Sequence, residues 1–164
     1  MPGRWWDVYA KPMRDKIAAL VKARAEADGV NVGEVVAGLT GRDRKYVASG
    51  IYVLPPSMRP LGGNENTPTE AQETEATFPI ECRCEAFTEA DYLELVGVLV
   101  GVVVDAIDAN PTFGTVSASG EAATAEQVYV AEVHELQLIP GEGDVPSQID
   151  QVVDVRIKLV RTTA

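Results

Sequence analysis

Active-site chemistry has little to draw on in this chain. Its 164 residues include one histidine, His134, and two cysteines, Cys82 and Cys84, so nucleophilic catalysis has a single candidate base and two candidate thiols. No serine stands in a Gly-x-Ser-x-Gly elbow. Gly97 and Gly101 lie inside an apolar helical stretch with no Gly-Lys-Ser/Thr after them, which excludes a phosphate-cradling loop. Basic residues are scarce, 14 against 25 acidic ones for a net charge of −11. A chain so acidic lacks the positive footprint that binding a phosphate backbone requires. Long apolar runs are missing as well: Leu95 to Val104 (LVGVLVGVVV) covers 10 residues, about half of the ~20 that a membrane helix needs. The opening stretch MPGRWWDVYAKPMRD has no apolar segment of signal-peptide length, and export by the standard route is not expected.

The length and a hydrophobic content of 46% are enough for one real core, and the expectation is a single domain over residues 1–164. The charge is uneven, +4 over residues 1–60 and −15 over residues 61–164. That asymmetry suits head-to-tail contact between copies. Residues 1–6 read as an N-terminal arm. Residues 7 to 28 read as an amphipathic helix, with Met13, Ile17, Leu20, Val21 and Ala25 at helical spacing, Pro12 in the first turn and Gly29 at the end. Two β-prone segments follow, Val30 to Leu39 and Tyr46 to Leu54, joined by TGRDRK; they predict a hairpin with Arg42, Arg44 and Lys45 at its tip.

Residues 55–76 contain four prolines, a Gly pair and many acidic or amide side chains. They predict a mobile acidic, Pro-rich loop. Thr77 to Phe87 (TFPIECRCEAF) alternates strictly: Phe78, Ile80, Cys82, Cys84 and Ala86 face one way, Glu81, Arg83 and Glu85 the other. Pro79, unable to donate a ladder hydrogen bond, suggests an edge or the strand's beginning. A second helix opens at Thr88 as N-cap with Asp91 three residues on, and runs to about Ala109, apolar nearly all round. The four-residue spacing of Gly97 and Gly101 suggests that this helix approaches the sheet closely. Gln127 to Ile139 and Gln151 to Arg161 close the chain as strands, separated by a Gly/Pro-rich turn. The expected fold is therefore α+β, with two helices packed on one face of a mostly antiparallel sheet in the order α-β-β-loop-β-α-β-β.

No catalytic, cofactor-binding or metal-binding residues are expected. Cys82 and Cys84 share a strand face with parallel Cβ directions, a poor disulfide geometry, and read as reduced core thiols. A zinc site from Cys82, Cys84 and His134 lacks the knuckle spacing on turns that such sites use. His134 reads as a sheet-surface histidine flanked by Glu132 and Glu135. Asp105 and Asp108 oppose the dipole at the end of the second helix. The candidate contact residues for a subunit or partner are Trp5 and Trp6 in the arm, Arg42, Arg44 and Lys45 at the tip, and Glu81, Arg83 and Glu85 on the polar strand face.

The strand FPIECRCEAF, the helix ending VVDAIDANPTFGTVS and the last strand VVDVRIKLV, in that order, resemble the tail-terminator proteins of long-tailed bacteriophages. In that family the second helix runs into an Asp/Asn-Pro-Thr-Leu-Gly-like turn, matched here by Asn110, Pro111, Thr112, Phe113 and Gly114. The resemblance implies a non-enzymatic structural protein of the virion, made in the host cytoplasm. Six copies would form a ring that caps the tail tube, stops its polymerisation and joins it to the head-side connector. The implied partners are other copies of the chain, the tail-tube protein and the connector or stopper protein, with double-stranded DNA only passing through the channel and no membrane involved. Two alternatives remain: another head-tail neck protein, such as a head-completion or connector-adaptor subunit, and a small ligand-binding or enzymatic α+β domain.

Overall fold

The computed structural model describes residues 10–37, 49–61, 73–86, 88–118 and 121–162. Within them the order is α1 (Lys11–Ala27), β1 (Glu34–Ala37), β2 (Ser49–Val53), β3 (Ser57–Leu61), β4 (Glu73–Ala86), α2 (Glu89–Asp108), β5 (Gly114–Ala118), β6 (Glu121–Val133), β7 (Gln137–Ile139) and β8 (Ser147–Thr162). The fold is α+β. All eight strands belong to one sheet of order β1-β2-β4-β8-β6-β5, with β3 beside β4 and β7 beside β8, and every pairing except β1 with β2 is antiparallel.

Both helices sit on one face of this sheet because each carries an apolar stripe of helical period. Met13, Ile17, Val21 and Ala25 of α1 are buried at four-residue intervals, and Val96, Leu99, Val103 and Ile107 of α2 at intervals of three and four. They meet the inward residues of β4 (Ala76, Phe78, Ile80, Cys82, Cys84) and β8 (Val153, Val155, Ile157, Leu159) in a single core. Pro12 lies in the first turn of α1, and Gly29 takes φ +67° just past its end, where Val30 N–H bonds back to the Ala25 carbonyl. Thr88 caps α2, its hydroxyl accepting from Asp91 N–H at 3.4 Å.

Four expectations are corrected. The predicted hairpin is not one: β1 and β2 run parallel, Glu34 opposite Gly50 and Ala37 opposite Val53, whereas the two strands of a hairpin run antiparallel. The segment 55–76 is not one long loop, because both of its ends are strand. Ser57–Leu61 pairs with Glu73–Thr77, and Thr74 and Ala76, both buried, simply continue the alternation that leads into Phe78. Pro79 sits at neither the beginning nor the edge of β4. Its carbonyl accepts from Leu54 N–H at 2.9 Å, and because a strand residue directs N and O to the same side, its missing donor falls in the break between β2 and β3. Gly97 and Gly101 do not mark a close approach to the sheet, since a Cβ at either position would meet open space. The final strands are also more divided than expected. β5 forms a hairpin with β6, β8 begins at Ser147, and the segment expected as one strand over 127–139 is broken into β6 and β7.

Candidate functional site

The face of the sheet away from the helices carries the chain's polar chemistry. Strand alternation puts Glu81, Arg83 and Glu85 of β4 there, opposite Val152, Asp150 and Gln148 of β8. Arg83 donates from Nη2 to Glu81 Oε1 at 2.9 Å and from Nε to Asp150 Oδ1 at 3.1 Å, and Gln148 Nε2 adds a bond to Asp150 Oδ2 at 3.0 Å. These side chains are half-buried, so the charges are held in place rather than freely solvated. The two neighbouring carboxylates hold the Arg83 guanidinium above its ordinary pKa against the opposing effect of burial.

On β2 the ladder continues through Tyr52. Its ring lies across Gly50, where any Cβ would overlap it, and its hydroxyl donates to Glu34 Oε1 at 2.7 Å. Burial, then the hydrogen bond to Glu34, pushes the phenol well above its usual pKa. A second row runs alongside: Arg59 pairs with Glu75 at 2.9 Å, Arg156 lies 3.5 Å from the same carboxylate, and Lys158 lies 3.5 Å from Glu73 and 3.7 Å from Glu126.

His134 occupies the break between β6 and β7. The register between these strands and β8 slips at Ala125/Gln127 and at Val130/Glu132. It slips again across His134–Leu136, because Val133 faces Val153 whereas Gln137 faces Asp150. His134 N–H bonds to the Val152 carbonyl and Gln151 Nε2 to the His134 carbonyl, each at 2.9 Å. The imidazole Nε2 lies 2.7 Å from Asp154 Oδ2 and 3.9 Å from Glu132 Oε2. The Asp154 hydrogen bond raises the His134 pKa above its ordinary value. Beside it lies a cleft of about 360 Å³ lined by Pro79, His134, Glu135, Gln137, Asp150, Val152 and Asp154.

The sheet separates the groups from which a zinc or thiol-histidine site would have been built. Cys82 and Cys84 are fully buried on the helix side, neither in a disulfide, while His134 opens on the other side. Burial pushes the Cys82 thiol up to about 12 and the Cys84 thiol up to about 11, so neither supplies a thiolate near neutral pH. Asp105 is 4.0 Å from Arg24 of α1, which bonds Asp28 more closely at 2.9 Å. Of the candidate contact residues, Glu81, Arg83 and Glu85 share the outer face; Trp5, Trp6, Arg42, Arg44 and Lys45 lie outside the described residues. What residue reasoning missed is the joining of His134 to Asp154. Alternation gives the face of each, but only the bulged register makes them neighbours.

The turn after α2 ties the helix to the sheet. Asn110 Nδ2 donates to the Ala106 carbonyl at 2.7 Å, Pro111 accepts from Val128 N–H at 2.9 Å, and Phe113 N–H bonds to the Ala125 carbonyl at 3.2 Å. Gly114, at φ +70°, then starts β5. Apolar surface remains open at Leu93, Leu95 and Val98 on α2, and at Leu136, Leu138, Ile139 and Val145 around β7. No helix among the described residues is long and apolar enough to cross a membrane.

No protein-family model matches the chain, and no curated protein matches its sequence.

Proposed function

We propose that the chain is a tail-terminator subunit of a long-tailed bacteriophage. Its copies form a ring, six-fold as the family resemblance implies, that caps the tail tube, stops polymerisation and joins the tube to the head-side connector. The observation that carries this reading is the turn Asn110–Gly114. The residues that bear the resemblance lie between the alternating strand β4 with its following helix α2 and the hairpin that leads to the last strand β8, and their hydrogen bonds fasten that helix to β6. The action is binding, without bond chemistry: one ring face complements the last tube ring and the other does not, so addition ends. Open apolar side chains on α2 and around β7 supply surface for contact between copies. The fixed, mixed charges of the outer sheet face supply polar complementarity and register. The acidic surplus suits a channel through which DNA slides without sticking, because like charge opposes phosphate contact.

Light scattering with negative-stain imaging of the purified chain tests the assembly, and addition to growing tail tubes tests the role. Rings, and tubes capped at a defined length, are the expected outcome. A chain that stays monomeric and leaves tube length unchanged overturns the reading.

A further inference from the structure

The cluster around His134 has a composition that the polar ladder beside it lacks. We propose that Glu132, His134 and Asp154 form a binding site for one divalent transition-metal ion, with Zn²⁺ the best-suited ion. Glu132 and His134 are two residues apart and project to the outer face, and Asp154 stands directly opposite Glu132. One ligand atom from each, Glu132 Oε2, His134 Nε2 and Asp154 Oδ2, lies within 4.8 Å of the others. A tetrahedral ion with bonds of about 2.0–2.2 Å separates its ligand atoms by about 3.4 Å. The His134–Asp154 distance of 2.7 Å must open slightly and the His134–Glu132 distance of 3.9 Å must close slightly. Glu132 is well exposed and free to swing, while the His134 backbone is held from both sides by Val152 and Gln151.

The choice of ion follows from the ligands. An imidazole nitrogen favours Zn²⁺ and its first-row neighbours over Mg²⁺ and Ca²⁺, which prefer all-oxygen shells. For Nε2 to ligate, its proton goes to solvent when the ring is an imidazolium, or is exchanged for one at Nδ1 when the ring is neutral, and metal bonds from His134 and Asp154 replace the 2.7 Å hydrogen bond between them. The adjoining cleft of about 360 Å³ has room for water in the remaining coordination position, with Glu135 and Asp150 on its wall. Of the two guanidiniums nearby, Arg83 is engaged by Glu81 and Asp150; Arg156 bonds to Tyr129 and lies 3.5 Å from Glu75, and its charge also attracts Asp154, an attraction that the ion's own charge replaces on binding.

Calorimetric titration of the purified chain with Zn²⁺, with Mg²⁺ in parallel, tests this directly. One Zn²⁺ per chain is expected, bound far more tightly than Mg²⁺, with the His134 Nε2 resonance shifting in long-range ¹⁵N spectra. His134→Ala and Asp154→Asn should each weaken binding at least about tenfold, and Glu73→Gln, a carboxylate of the same face outside the cluster, should leave it unchanged. Circular dichroism checks that each variant keeps its fold. Equal Zn²⁺ binding by wild type and His134→Ala, Mg²⁺ binding as tight as Zn²⁺, or an Nε2 resonance that ignores the metal would each overturn the proposal. The readouts use the free subunit, so they stand apart from whether rings form.

Discussion

Cys82 and Cys84 show how completely one strand face is removed from water. Both side chains are fully buried under the helices, and burial raises their pKa values from an ordinary 9.0 to about 12 and about 11. The folded state therefore favours the neutral thiols. Their contribution to stability is fully present below pH 9, where the unfolded chain also keeps its protons, and is lost as pH rises from there through the folded values. Urea midpoints should fall steadily above pH 9, and Cys82→Ala/Cys84→Ala should flatten that decline. At pH 8 a thiol reagent should label the native chain slowly and the urea-unfolded chain at once; equal rates would mean that the strand face is open. That these residues are core thiols was legible from the alternation of FPIECRCEAF alone, since a period of two assigns each side chain a face before any partner is known.

At the level of single elements, two glycines argue in opposite directions. Gly50 of β2 lies under the Tyr52 ring, so Gly50→Ala forces that ring aside and strains its bond to Glu34; the expected cost is about 1–3 kcal/mol. Gly97 of α2 faces open space in mid-helix. Gly97→Ala should therefore stabilise the free subunit by about 0.5–1 kcal/mol through helix propensity. Denaturant unfolding of the two variants beside wild type checks both signs. The helices themselves were readable, α1 from its four-residue stripe and Gly29, and α2 from the Thr88 cap and the Asn110-Pro111 stop. β3 was not, because SMRPL carries a proline and no alternating apolar set. It becomes a strand by pairing with the early part of β4 at the side of the sheet, where a proline is tolerated.

For the whole molecule, the proposed ring would draw on the open apolar residues of α2 and β7. Leu95 and Val98 are each 42% exposed, and Ile139 is 56% exposed. If the proposed ring forms through this surface, a Leu95→Glu/Val98→Lys variant should keep the melting temperature of the free subunit while losing the association that light scattering is expected to show for wild type; equal association of the two would place the contact elsewhere. By itself the sequence determined the α+β class, both helices, the faces of β4 and β8, and the buried thiols. These follow from local periods of 3.6 and 2, which each segment carries without reference to any other. Tertiary structure alone decided that β1 and β2 run parallel, that the ends of segment 55–76 join the sheet, that Gly97 and Gly101 face outward, and that His134 meets Asp154. Each of these depends on which strand or helix lies alongside and in what register, a matter of hydrogen bonds and packing between residues far apart in the chain.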